Sequence, residues 1–391
     1  MPPEDTLRRV RPLLARVPVT RVADVTPLDV VGLPVFSACT PLAVDLAVNL
    51  GKGPDPLSAR VSAVMEAIER VSAESVDGVA GCRASFEELC RRPSGRTVLD
   101  PCSFTLPPDT AYRPDRPIGW TAGHDLSAGA SVWVAADLAV NPPRDGVLVD
   151  IDTNGLASGN THLEAVVHAI CEVIERDTFS QLQFEAVFGD AGDDRMPLRA
   201  VDLGTLPPKA TAVVEQLRAA GYHVILQDIT GDLGVATFVA FLVVPEECSA
   251  DGDSPVPFLG LGTHPDASVA LLRSLVEANQ SRLACIQGAR ESFNTGRVRF
   301  RTATLMTLLR RLGAGPLRAF ADVPSEPSED LLDDLSFLLG RLRTGGFAHC
   351  VAVDLTRPDL GVPVVRVRIP GLSQFMVDMR RVDARCWRWV L

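Results

Sequence analysis

The chain has 391 residues, 46% of them hydrophobic, and a formal net charge of −11. Such length and apolar content bury one large core or two, and the acidity argues against a polyanion as main partner, leaving at most a local basic groove. Nine cysteines are scattered singly with no C-x-x-C pair, which leaves zinc knuckles and dithiol centres without support.

The start, MPPEDTLRRVRPLL, carries charges where a signal peptide needs an apolar stretch, and no apolar run is long enough to span a bilayer. A soluble cytoplasmic protein with reduced thiols is the expectation. Pro3 to Leu14 predicts a short helix that begins near Asp5 and Thr6. Gly32 to Gly53 reads as extended or irregular chain. From about Pro56 to Ser75 the period is helical: Leu57, Val61, Val64, Ile68 and Val71 form the buried stripe. Ser62, Glu66 and Glu69 project on the other side, where small Ala59 and Ala73 are expected to leave room for a ligand. Arg91 to Pro117 is a proline-rich surface excursion, and Ser131 to Val140 predicts a strand.

The polar loop D-T-N-G-L-A-S-G-N-T, residues 152–161, leads straight into a second helix. Leu163, Val166, Ile170, Val173 and Ile174 form its buried side, and Glu164, His168, Glu172 and Glu175 lie opposite. Asn160 or Thr161 is the expected N-cap, and the free N–H groups of such a start suit a phosphate. Further on, Val224-Ile-Leu-Gln-Asp228 and Val351-Ala-Val-Asp354 each begin a strand–turn–strand unit with a similar Asp/Thr/Gly turn. A third helix from about Asp266 to Ile286 carries Arg273, Glu277, Gln280 and Arg282. Asp322 to Asp334 predicts a loop entering a short helix, and Pro363 to Ile369 a last strand before the CWRWVL end.

The motif E-x-x-E-R occurs twice, as Glu66-x-x-Glu69-Arg70 and Glu172-x-x-Glu175-Arg176. Two carboxylates three apart share one helix face. A lone copy reads as a surface ion pair contributing only ~0.2–0.5 kcal/mol. Two copies with small neighbours and a capping loop read differently: brought together, they concentrate negative charge that calls for cations. Carboxylates without paired histidines suit magnesium or calcium, and Arg70 and Arg176 beside them suit phosphate oxygens. A carboxylate-bridged di-iron site would need Glu-x-x-His pairs, which the chain lacks. The paired elements predict an internally duplicated fold with the ligand between pseudo-symmetric halves. Plainer readings hold elsewhere. Lys52 in Gly51-Lys52-Gly53 lacks the Walker spacing and reads as a turn lysine. His168 reads as structural or solvated, His264 as a loop residue, and Cys171 and Cys285 as small core residues.

Taken in order, Gly51-Lys-Gly with S-x-x-x-E-x-x-E-R, S-G-N-T-x-x-E-A with E-V-I-E-R-D, and A-L-L-R-S-L-x-E-A-x-Q-S-R-L resemble the YcaO family over nearly the whole chain. The amino-terminal P-E-D-T-L-x-R-V-R-P-L-L looks most like the branch that works with TfuA-like partners. The resemblance implies an α+β YcaO-like fold, with residues 1–50 an N-terminal segment joined to a domain over 51–391. It implies ATP and Mg2+ as cofactors for activating a peptide backbone amide, giving a thioamide, azoline or amidine. By motif, Glu66, Glu69, Glu164, Glu172, Glu175 and Glu277 correspond to metal-site residues. Thr6, Ser62, Arg70, Ser158, Asn160, Arg176, Gln280 and Arg282 correspond to the nucleotide site. CWRWVL stands where azoline-forming relatives have a proline-rich end, which favours thioamide formation. Expected partners are a peptide or protein substrate, a TfuA-like protein and a sulfur donor, with a homodimer compatible and neither nucleic acid nor membrane involved. A non-catalytic nucleotide-binding subunit is the rival of a different class.

Overall fold

The computed structural model describes residues 1–74, 81–92, 95–148, 152–189, 199–243, 257–289 and 317–388. Cys248 lies outside them. Three sheets organise these residues. Strands β1 (Arg21–Asp24), β2 (Val35–Cys39) and β3 (Val48–Lys52) form an antiparallel sheet. The largest sheet runs β5-β7-β6-β14-β15-β8, with β4 paired to β6. Its members are β4 (Cys82–Ala84), β5 (Thr97–Val98), β6 (Ile118–Asp125), β7 (Ala130–Ala135), β8 (Leu156–Ser158), β14 (Val351–Asp354) and β15 (Val364–Arg368). The third sheet has the order β12-β11-β10-β9-β13, built from β9 (Arg199–Val201), β10 (His223–Asp228), β11 (Thr237–Val243), β12 (Phe258–Thr263) and β13 (Leu317–Arg318). Both predicted strand–turn–strand units are antiparallel pairs, β10 with β11 and β14 with β15, and they sit in different sheets.

Among the helices, α1 (Pro3–Val10) continues into a 3-10 turn, α2 spans Pro56–Glu74, α3 Phe86–Arg91, α4 His162–Phe188, α5 Pro208–Ala219 and α6 Ala267–Gln287. A further helix, Leu331–Thr344, packs its Leu338 and Leu342 with Ile170 and Ile174 of α4. The strand expected over Ser131 to Val140 ends at Ala135, where a 3-10 turn over Ala136–Leu138 takes over. No helix of the described residues is long and apolar enough to cross a membrane.

Helices α2 and α6 follow strands that carry Gly-x-Gly, and they lie on those strands at backbone-to-backbone distance. A Cβ on Gly51 would collide with the Ala59 carbonyl and the backbone of Ala63, and one on Gly262 with the Ala270 carbonyl. That contact explains the small residues of α2 and corrects their expected role. Ala59 is fully buried against β3 and Ala73 in the core below, so neither opens space for a ligand. The same rotation turns Val61, expected in the buried stripe, toward a cavity. We expect Gly51→Ala to destabilise the protein by about 2–4 kcal/mol, since neither backbone has room to give. A shift of the urea midpoint with unchanged slope is the measurement.

Candidate active site

The acid-bearing faces of α2, α4 and α6 meet around one cavity of about 1050 Å³. Thr6, Ser62, Arg70, Ser158, Asn160, Arg176 and Gln280 line it, as do Glu66, Glu69, Glu164, Glu172, Glu175 and Glu277. Arg282 is the exception. It turns to the far side of α6, where it pairs with buried Asp29 and lies 4.7 Å over the Tyr222 ring. Helical geometry is the cause: Arg273, Glu277 and Gln280 are spaced i, i+4, i+7 on one face, and position 282 falls on another.

Local structure fixes each group. Thr161, not Asn160, caps α4 by accepting from the Glu164 N–H at 3.1 Å. Asn160 instead donates from its N–H and its Nδ2 to the Glu164 carboxylate, both at 3.1 Å, and accepts from the Thr6 hydroxyl at 2.9 Å. Thr6 thereby ties α1 to the cavity. Glu69 accepts from the Ser158 N–H at 2.9 Å, which joins α2 to the edge strand β8. Arg70 donates to Glu66 at 3.1 Å and to Asp45 at 3.0 Å. The second motif is looser, with Arg176 and Glu172 3.8 Å apart. Gln280 donates to the Leu50 carbonyl at 2.7 Å, binding α6 to β3.

Three cavity residues carry more than the sequence reading gave them. Lys52, read as a turn lysine, ends β3 inside the cavity and pairs with Glu277. His168 Nε2 accepts from Arg273 Nη2 at 2.8 Å, and burial and then the Arg273 charge push its pKa well down, so the ring is neutral. Arg273 thus stands in the cavity as well. Of the cysteines, Cys171 is buried as expected, whereas Cys285 is exposed.

The cavity holds more negative charge than its surroundings balance. Burial, then the charges of Glu172 and Glu66, push the Glu69 carboxyl up to about 8. Burial raises Glu172 too, and burial with the Glu277 charge raises Glu175. Burial also works against Glu277, but Lys52 overcomes it and holds that carboxyl ionised. A carboxyl with a raised folded-state pKa takes up a proton on folding, so its contribution is present below about pH 4.5 and lost as pH rises through about 8. The metal-free protein is therefore expected to lose about 1–3 kcal/mol between pH 5 and pH 8. Glu69→Gln should flatten that slope in thermal melts with a chelator; an unchanged slope refutes the assignment.

Among the described residues no three His, Cys, Asp or Glu side chains form a ready-made metal cage. The carboxylates are held instead by neighbouring cations and N–H groups. Their chemistry still fits a hard divalent cation with a polyphosphate. The donors are carboxylate oxygens crowded enough to resist ionisation. Facing them, the Arg176 Nε and Arg273 Nε are buried with no protein acceptor among the described residues. Unmet guanidinium donors beside crowded carboxylates are what a phosphate bridged by a cation satisfies on both sides.

Fold and cavity together place the carboxylates of α2, α4 and α6 and the guanidinium groups of Arg70, Arg176 and Arg273 around one charged pocket. Residues 50–373 match the family described as YcaO cyclodehydratase, ATP- and Mg2+-binding. The chain belongs to the YcaO family, enzymes that modify peptide backbones with ATP and Mg2+ as cofactors. It is 38% identical to an uncharacterized protein of Methanothermobacter thermautotrophicus, over 98% of this chain and 97% of that one. It is 31% identical to a protein in the tfuA 3′ region of Rhizobium leguminosarum bv. trifolii, over 95% and 87%. The solved YcaO from Methanopyrus kandleri, bound with AMPPCP and Mg2+, is 26% identical with a TM-score of 0.74, over 98% of this chain and 94% of that one.

Proposed function

We propose that the cavity binds magnesium–ATP and that the chain activates a peptide backbone amide for thioamide formation, together with a TfuA-like partner. The observation that carries this is the convergence of carboxylates from three helices on arginine Nε donors that have no acceptor among the described residues. The relative in the tfuA 3′ region supports the partner. Glu66, Glu69, Glu164, Glu172, Glu175 and Glu277 are the proposed cation holders. Arg70, Arg176, Arg273 and Lys52 are the phosphate-side cations, with Thr6, Ser62, Ser158, Asn160 and Gln280 giving polar contacts. ATP with magnesium supplies an electrophilic phosphoryl group and neutralises its charge. The chain's part is positioning: arginine N–H groups meet phosphate oxygens, and the walls of Val61, Met65, Leu272 and Val276 restrict water. The glutamates hold cations and are not acid–base groups. In the same reading the whole chain is one unit, residues 1–50 included, and the paired elements are an internal duplication with the nucleotide between its halves.

The test is the product. With Mg-ATP, a sulfide source, the TfuA-like partner and peptide, exchange of one oxygen for sulfur is expected by mass, with the amide oxygen leaving on phosphate. Loss of water would replace thioamidation by azoline or amidine formation, which fragmentation separates. ATP binding without turnover would leave a nucleotide-binding subunit.

A further inference from the structure

Behind the carboxylate wall, the largest sheet buries a second concentration of charge of the opposite sign. Asp152 accepts from Arg368 Nη1 at 2.8 Å and from Arg381 Nη1 at 3.4 Å, and Arg366 Nη2 stands 3.7 Å from its other oxygen. The Asn154 N–H donates to that same carboxylate at 2.7 Å. All of these groups are fully or almost fully buried; Arg366 is 0% and Arg368 1% exposed. Within 4 Å three guanidinium groups share this one carboxylate, with the Asp378 charge also felt by Arg381, in a place where burial disfavours each of them.

Main-chain carbonyls take up part of the hydrogen bonding. Arg368 donates to Leu138, Arg381 to Phe104 and Thr105, and Arg366 to Asp152. What remains is lopsided. Arg366 Nε and Nη1, Arg368 Nη2 and Asn154 Nδ2 are buried donors with no protein acceptor among the described residues, against a single unmet acceptor in that group, Asn154 Oδ1. Arg366 and Arg368 stand two apart on β15 and both reach Asp152, and Asn154 binds the same carboxylate through its main-chain N–H, so the three side chains share one neighbourhood. A water there brings two hydrogens that need acceptors and carries no charge, whereas an anion accepts from every side and offsets the surplus. Glu69 and Glu172 also feel Arg366, but they lie on the cavity, away from the Asp152 carboxylate.

We propose that Arg366, Arg368 and Asn154 form a buried site for a halide-sized monovalent anion. The site is separate from the magnesium–ATP reading and stands or falls without it. The probe is bromide. Crystals of the full chain grown in bromide should show an anomalous peak in contact with Arg366, Arg368 and Asn154. In solution, exchanging gluconate for bromide at constant ionic strength should raise the melting midpoint by about 5 °C. Arg366→Met keeps Asp152 paired with Arg368 and Arg381, and it should abolish the bromide-specific rise. Density for water alone at the locus, or equal melting in bromide and gluconate for the unaltered chain, overturns the proposal.

Discussion

Glu66→Gln and Glu175→Gln are each expected to weaken magnesium–ATP binding by roughly 10- to 100-fold, measured by calorimetry. The two residues come from different helices and from the two copies of E-x-x-E-R, so they test whether both walls serve one ligand. Glutamine keeps the size and one oxygen but removes the charge on which a hard cation depends. The variants differ in what they release. Glu66→Gln frees Arg70, which keeps Asp45 as partner at 3.0 Å, so the fold near α2 stays anchored. Glu175→Gln removes a buried carboxyl already pushed toward protonation by burial and then by the Glu277 charge, so the metal-free protein should melt no lower than the unaltered chain. Lost binding with retained melting assigns these groups to the ligand. Unchanged binding in both variants would sink the site.

The site was legible where it obeys a helical period. Glu66 with Glu69, and Glu172 with Glu175, are fixed on common faces by spacing alone, and the polar loop before α4 announced the helix start. Arg282, which the motif resemblance groups with them, lies five residues beyond Glu277 and two beyond Gln280, so the same period already separates it from that face. The alanines of α2 carried a signal that was misread: Ala59, Ala63 and Ala67 recur every four residues, the mark of a helix pressed on a glycine-bearing strand. Lys52 gave no local signal, because its partner Glu277 lies 225 positions away. The arginines around Asp152 were hidden for the same reason. Their alternation in Val364-Val-Arg366-Val-Arg368 reads as an ordinary half-exposed strand, yet both faces are buried.

Asp152→Asn is expected to cost about 3–5 kcal/mol. Among the described residues Asp152 is the one carboxylate within 4 Å of Arg366, Arg368 and Arg381 together, and asparagine leaves those three buried charges without it. Burial by itself would raise the Asp152 carboxyl, but Arg368, Arg366 and Arg381 outweigh it and hold the group well below the usual carboxylate range. A lowered folded-state pKa means that the stabilisation is full above about pH 4 and is lost as pH falls below that value. Acid should therefore reproduce the substitution in the unaltered chain and have less left to remove in the variant. Urea unfolding at pH 7 and near pH 3 separates the outcomes: the gap between the two proteins should be wide at pH 7 and shrink in acid. A gap that stays constant would mean that Asp152 acts through its hydrogen bonds to Asn154 and the arginines rather than through its charge. Because this cluster sits in β15 and the loop that leads into β8 and α4, its loss should also loosen Ser158 and, through it, Glu69. Nucleotide binding should then weaken in Asp152→Asn even though Asp152 does not line the cavity.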